Sequence, residues 1–234
     1  MRPEDYAAIR ALPLFADARD NSFSSLIVAG YLQRFPPNVT LIREGTPADF
    51  LYVVMDGLVE MFSASERHET TIALLRPVST FILAAVLSDQ MHLQSARTLK
   101  PSTILMMPAR KVREAMEDDP VFMRAIVAEL ARGYRTMLRD LKNQKLRTGP
   151  ERLAAWLLCV HAFNGAGDEI VLDIEKRTLA ARLGMTPETL SRALAALRPH
   201  GVSSHGARIA LQPDVLSRFM KLDPLIDARE GNVW

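Results

Sequence analysis

The sequence predicts an α+β protein: a β-rich N-terminal roll, one long central helix, and a compact C-terminal helical module with a small β-wing. Three observations predict it. Short apolar runs separated by turn residues fill 32–107, an apolar stripe spaced 4-3-4-3-4 runs from Met123 to Leu141, and TLAARLGMTPETLSRALAAL (178–197) reads as two short amphipathic helices joined by a tight turn. The expected divisions are 1–117 for the roll with its N-terminal helices, 118–147 for the long helix, 148–221 for the C-terminal module and 222–234 for a tail.

In chain order, Pro3 to Leu14 carries a helical pattern that ends in the apolar pair Leu14-Phe15, and Ser22 to Tyr31 reads as a second short helix. Strand-like runs follow at VTLI (39–42), FLYVVM (50–55), LVEMF (58–62), TTIALL (70–75) and TILMM (103–107), with Gly45, Asp56-Gly57, Pro77 and Pro101 among the separators. Asp56-Gly57 between two such runs is a hairpin signal, because Gly supplies the positive φ of a primed turn. Many short strands at this spacing fit an antiparallel barrel or jelly roll.

After Pro108 the pattern turns helical. Ala109 to Glu117 forms one helix, and Asp119-Pro120 is a break and restart. Met123, Val127, Leu130, Tyr134, Met137 and Leu141 then form a heptad seam on a long helix, and such a stripe wants a partner helix of its own kind. A core-facing helix is the plain alternative. Gly149-Pro150 reads as a hinge, Arg152 to Phe163 as a helix ended by turn residues 164–167, and Glu169 to Ile174 as a strand.

In the C-terminal module, Asp173 is a candidate N-cap of the first short helix, and Leu179, Ala180 and Leu183 are its core residues. Gly184 makes the turn, Thr186 sits where an N-cap belongs, and Pro187 takes a first helical position that needs no amide proton. Leu190, Leu194 and Leu197 form the buried stripe of the second helix, which leaves Glu188, Ser191, Arg192 and Ala195 facing outward. Gly201, Val202, Gly206 and RIAL (208–211) suggest the wing. This is the layout of a helix-turn-helix whose second helix enters a DNA major groove.

Arg192 can donate two parallel hydrogen bonds to guanine, Glu188 can accept from a cytosine amino group, and Ser191 can reach a base or a phosphate. A plain i,i+4 surface pair between Glu188 and Arg192 is the competing reading. Arg177, Thr186, Thr189, Arg198, His200 and Arg208 are candidate backbone contacts, and Arg182 and His205 are weaker ones. Between Lys145 and Gln212 nine Lys or Arg stand against six acids, a modest basic balance.

Composition narrows the alternatives. The formal net charge of +2 does not by itself demand a nucleic-acid partner. The single cysteine, Cys159 in AAWLLCV, excludes an intramolecular disulfide or a four-cysteine iron–sulfur site within one chain, and it is expected to be buried. No basic-then-apolar leader and no long uncharged apolar segment occurs, so a soluble cytoplasmic protein without a membrane partner is expected. No H-E-x-x-H, nucleophile elbow or phosphate loop points to an enzyme. A signal-sensing scaffold without DNA is the other rival.

The chain resembles, over nearly its whole length, the family of bacterial regulators that includes the cyclic-AMP receptor protein and the fumarate-and-nitrate-reduction regulator. The resemblance rests on LIREGTPADFLYVVMDGLVEMF (41–62), DPVFMRAIVAELARGY (119–134) and GMTPETLSRALAAL (184–197). It implies a cyclic-nucleotide-binding-like roll, a dimerisation helix and a winged helix-turn-helix in a homodimer that binds promoter DNA and works with RNA polymerase. The E-x-x-S-R pattern maps onto Glu188, Ser191 and Arg192, and implies TTGA-type half-sites with TTGAT-N4-ATCAA as the full site. Pro187 stands where the family chooses the outer base.

Cyclic-nucleotide-binding members are similar to one another at a phosphate cassette that this chain lacks. Leu83-Ala84 replaces Gly-Glu, Gln94-Ser95 replaces Arg-Ser, and Met137-Leu138 replaces a Thr-Ser pair at the adenine. Cyclic AMP binding is therefore not expected, and Arg97, which lies close by, could serve an anion only if the loop were rebuilt. A family branch that responds to nitric oxide or low oxygen is similar to this chain. If haem is the sensor, His68 and His92 are candidate axial ligands, with ordinary surface histidines the alternative. FILAAVL (81–87) could line a haem or gas pocket, or pack the roll.

Overall fold

A computed structural model describes residues 3–66, 68–163 and 169–227. The chain forms two compact units whose division falls inside the long helix, between Arg135 and Thr136.

In the first unit, α1 (Pro3–Arg10) and α2 (Asp20–Ala29) precede β1 (Tyr31–Phe35), β2 (Thr40–Ile42), β3 (Phe50–Asp56), β4 (Val59–Ser65), β5 (His68–Leu75), β6 (Ser79–Phe81), α3 (Leu83–Ser88), β7 (Ser95–Thr98), β8 (Ser102–Pro108) and α4 (Ala109–Asp118). The strands make two four-stranded sheets in the orders β1-β8-β3-β6 and β2-β7-β4-β5. The expected Asp56-Gly57 hairpin is therefore not one. β3 pairs with β6 and β8, while β4 pairs with β7, so the turn is a corner that carries the chain from one sheet to the other. Gly57 is needed there for two reasons. Its φ is +96°, and a Cβ would stand 2.5 Å from the Pro101 carbonyl oxygen.

Leu51, Tyr52, Val53 and Val54 are all buried, because β3 is covered on both faces. Tyr52 and Val54 join Ile42, Val59, Met61, Phe81 and Ile104 inside the roll, and Tyr52 stacks on Phe81 with centroids 5.2 Å apart. Leu51 and Val53 face a second core with Leu14, Phe15, Phe23, Leu105, Val112 and Phe122. Leu14-Phe15 thus docks as its apolar character suggests, and Phe15 stacks on Phe122 at 6.0 Å. FILAAVL serves both cores, with Phe81 in the first and Leu83 and Val86 in the second.

Asp119 marks the restart before α5 (Pro120–Leu146). Its buried carboxylate accepts from the backbone N–H of Val121 (2.9 Å) and Phe122 (3.2 Å), two of the orphan donors at that helix start, and from that of Arg19 (2.6 Å).

The second unit holds the end of α5, α6 (Gly149–Phe163), β9 (Glu169–Val171), α7 (Lys176–Arg182), α8 (Pro187–Ala196), a 3-10 turn (Arg198–His200), β10 (Val202–His205), β11 (Arg208–Leu211), α9 (Pro213–Met220) and α10 (Pro224–Asp227). The wing is a three-stranded antiparallel sheet in the order β10-β11-β9. Leu153, Trp156, Leu157, Leu179, Leu190, Leu194, Leu197, Ile209 and Leu216 share its core.

Three local expectations change here. Gly149-Pro150 lies in the first turn of α6, where proline costs no hydrogen bond, and the Glu151 carboxylate reaches back across it to accept from the Thr148 backbone N–H and from the Thr148 hydroxyl, each at 2.7 Å. α7 starts after Glu175, not Asp173, and the Glu175 side chain makes no cap hydrogen bond. Cys159 is half-buried, since α6 turns it away from the Leu153–Leu157 face. The expected turn at 164–167 and the end of the tail, 228–234, lie outside the described residues.

Candidate nucleic-acid interface

The sequence at α8 sets its orientation. Leu190, Ala193 and Leu194 are buried against α6 and α7, so the intervening positions Glu188, Ser191, Arg192 and Ala195 are exposed. Thr186 is the N-cap, its Oγ1 accepting from Thr189 N at 3.2 Å, with Pro187 at the first helical position. The helix N-terminus thereby presents its first turn outward, with its positive dipole end.

The three candidate base readers share that exposed turn. Arg192 does not close an ion pair on Glu188; its Nη2 donates to Thr189 Oγ1 at 3.1 Å, and the Thr189 and Thr186 hydroxyls lie 3.2 Å apart. Ser191 Oγ donates back to Pro187 O at 3.0 Å. Glu188 is held below the usual carboxylate range by its own backbone N–H, the Thr186 hydroxyl and the Arg192 charge. It is therefore ionised at neutral pH and can only accept, which matches a base amino group and not a carbonyl edge.

The outer candidates divide. Arg177 and Arg198 are exposed, as are Thr186 and His205, and Thr189 is half-buried. Arg208 is exposed and pairs with Glu169 across the wing at 3.1 Å. His200 is half-buried and stacks on Phe219 with centroids 4.2 Å apart, so its ring is partly spent on packing. Arg182 does not face solvent. It is buried and pairs with Asp140, which removes it from the contact set. Sequence reasoning missed Arg152, whose guanidinium grips the turn itself by donating to Leu183 O (2.8 Å) and Gly184 O (3.3 Å). No local pattern marks it.

The heptad positions on α5 remain open to solvent. Met123, Val127, Leu130, Tyr134, Met137 and Leu141 are each 39 to 70% exposed, a continuous apolar stripe with no cover from the chain's own core.

The two domains match known families separately. Residues 32–119 match the cyclic nucleotide-binding domain, and residues 151–219 match the Crp-like helix-turn-helix domain. The chain belongs to the CRP/FNR family of bacterial transcription regulators. Among CRP/FNR proteins it is 25% identical over 187 residues to the cAMP-activated global transcriptional regulator CRP of Pasteurella multocida, covering 77% of this chain and 90% of that one. It is 27% identical over 198 residues to the global nitrogen regulator of a Nostoc species, with 80% and 88% covered. The solved structure of FixK2 from Bradyrhizobium japonicum shares the fold with a TM-score of 0.71, at 21% identity, over 81% of this chain and 96% of that one. The helix-turn-helix match and these relatives support a DNA-binding transcription-regulator role for the chain.

The roll of this CRP/FNR protein has its own charge arrangement. Arg97 on β7 donates Nε–H to Glu60 on β4 at 2.7 Å and a second nitrogen to Glu69 on β5 at 2.8 Å, and its guanidinium lies 4.3 Å from the Phe62 ring centroid. Ala84 and Gln94 add neither a carboxylate nor a cation to the cassette. Of the two haem-ligand candidates, His68 is exposed at the start of β5. His92 is buried, its Nδ1 has no hydrogen-bond partner, and burial lowers its pKa against the pull of Asp49. The pair therefore supplies one buried nitrogen donor, which fits one axial position and not two. Among the described residues no group of three or more His, Cys, Asp or Glu could hold a metal ion, and no helix is long and apolar enough to cross a membrane.

Proposed function

We propose that this protein is a homodimer that reads a TTGA-type palindrome with Glu188, Ser191 and Arg192, and that its signal is not cyclic AMP. One observation carries the reading: the three side chains stand together on the exposed face of a capped helix whose opposite face is buried. Dimerisation through the 123–141 stripe would hold two such helices about 34 Å apart, one turn of DNA. Promoter binding of this kind implies RNA polymerase as the next partner.

Fluorescence anisotropy with a TTGAT-N4-ATCAA duplex and a scrambled duplex, at fixed salt, tests the reading. Selective binding is expected, with Arg192→Ala losing roughly 1–3 kcal/mol per half-site and relaxing preference at one base pair. Equal affinity for both duplexes, unchanged by Arg192→Ala, would remove α8 as the reader. Met137→Asp places a charge in the apolar stripe, and the variant should sediment as a monomer. A dimer of wild-type stability would refute the seam.

The reading against cyclic AMP is supported by Arg97, which already serves two carboxylates. Control by low oxygen or nitrogen oxides is supported by the resemblance to that branch. The unpartnered Nδ1 of buried His92 favours a further reading in which that ring binds haem iron. A Soret shift on adding ferrous haem anaerobically, abolished by His92→Ala and kept in His68→Ala, is the expected result.

A further inference from the structure

Buried and half-buried charges that lie off the recognition face converge on the turn between α7 and α8. Arg182, at the end of α7, donates Nη2–H to Asp140 Oδ2 at 2.6 Å, with side chains 7 and 24% exposed. Arg152 holds the carbonyl oxygens of Leu183 and Gly184, and its Nη1 donates to Arg147 O at 2.7 Å. Arg147 in turn meets the Asp227 carboxylate fork to fork, at 2.7 and 2.6 Å, with side chains 8 and 18% exposed. Asp227 is itself fixed, since its Oδ2 accepts from Asp223 N at 2.8 Å. Two arms therefore reach the turn: one directly from α5, the other from α10 through Arg147 and Arg152.

Asp140 sits between Met137 and Leu141 of the apolar stripe, on the part of α5 that belongs to the same compact unit as α8. The geometry points to Asp140 and Asp227 as positioning residues that fix the angle between the C-terminal part of α5 (136–146), which carries Met137 and Leu141 of the stripe, and α8, and so select the spacing between two half-sites. Neither lies on the exposed face of α8. Spacing preference in a dimeric reader follows from how rigidly its recognition helices are held. A bidentate arginine–carboxylate pair fixes orientation as well as distance, and breaking a buried one strands a charge. The inference rests on the proposed reading that α8 of a homodimer binds DNA.

The test titrates the full chain and its Asp140→Asn, Asp227→Asn and Asp227→Glu variants against duplexes with the N4 spacer and with spacers one and two base pairs shorter or longer. Wild type should favour one spacer. Either Asn variant should reduce that preference by roughly five-fold or more, and Asp227→Glu should restore part of it. A purely structural role would weaken all spacers alike and leave their ratio unchanged, which would overturn the proposal. Asp227→Asn, outside the unit's main core, decides the matter if Asp140→Asn fails to fold.

If wild type selects no duplex, the DNA reading has failed, and distances judge the clamp by itself. Nitroxides at Lys145→Cys and Ala196→Cys, on a Cys159→Ser background and diluted with unlabelled chains, should give a narrow distribution that broadens in either Asn variant. An unchanged width would refute the clamp.

Discussion

Arg97 Nε lies 2.7 Å from Glu60 Oε2, and the two residues face each other directly across β7 and β4. Glu60 is 2% exposed, whereas Glu69, the second partner, is 37% exposed. The two pairs should therefore differ in weight. Arg97→Ala removes a charged hydrogen-bond partner from the buried Glu60 carboxylate and is expected to cost about 2–4 kcal/mol, somewhat less than a wholly buried pair because the guanidinium is partly solvated. Glu69→Ala should cost about 0–1 kcal/mol. Urea denaturation of both variants measures the contrast, and equal losses would contradict it.

The same commitment of Arg97 bears on ligand binding. A cyclic phosphate would have to displace one of two carboxylates to gain a cation. Cyclic AMP at millimolar concentration is expected to leave the thermal midpoint unchanged by differential scanning fluorimetry. A rise of several degrees, lost in Arg97→Ala, would show the opposite.

Two glycines with positive φ should respond differently to alanine. At Gly57 (φ +96°) a Cβ would stand 2.5 Å from the Pro101 carbonyl oxygen and 2.6 Å from Ser102 Cα, and this backbone cannot yield cheaply. Gly57→Ala is expected to cost about 3–5 kcal/mol, combining overpacking with a disfavoured backbone. At Gly184 (φ +65°) the nearest atom is the flexible Gln144 side chain at 3.8 Å. Gly184→Ala should cost only about 1–2 kcal/mol, the left-handed penalty alone. Thermal melts distinguish the two.

Asp119 couples stability to acid. Burial alone would raise its pKa, yet the backbone N–H groups of Arg19, Phe122 and Val121 and the Ser22 hydroxyl outweigh burial and lower it. A carboxylate with a lowered native pKa contributes stability that is complete above its unfolded value of about 4 and is lost as pH falls through the native value. Urea midpoints measured downward from pH 6 should fall more steeply below about pH 4 in wild type than in Asp119→Asn. Parallel curves would remove Asp119 from the acid transition.

The N-cap of α8 is testable apart from DNA. Thr186→Ala removes the hydroxyl that accepts from Thr189 N and is expected to cost about 1 kcal/mol of stability. Thr186→Ser should recover most of it, as read by the melting temperature of each variant.

The helix-turn-helix was legible from residues 178–197 because every signal there is local. The cap at Thr186, the proline after it, the glycine turn and the leucine stripe each act within a turn or two of helix, and together they leave Glu188, Ser191 and Arg192 outside. The Met123–Leu141 stripe was legible for the same reason, since helical period alone places its members on one side. Long-range pairing decided the rest. Asp56-Gly57 has the composition of a hairpin turn, yet the hydrogen bonds of β3 go to β6 and β8 and make it a corner between sheets. Arg182 has the charge of a phosphate contact, yet Asp140, 42 residues earlier, takes it into the protein. Asp227 lies in a tail without structural cues and meets Arg147 80 residues away. Local sequence determined which residues form the exposed face of α8, because capping and helical period act over a few residues. Tertiary structure decided which charges are spent inside the protein, because an ion pair depends on proximity that only the folded chain creates.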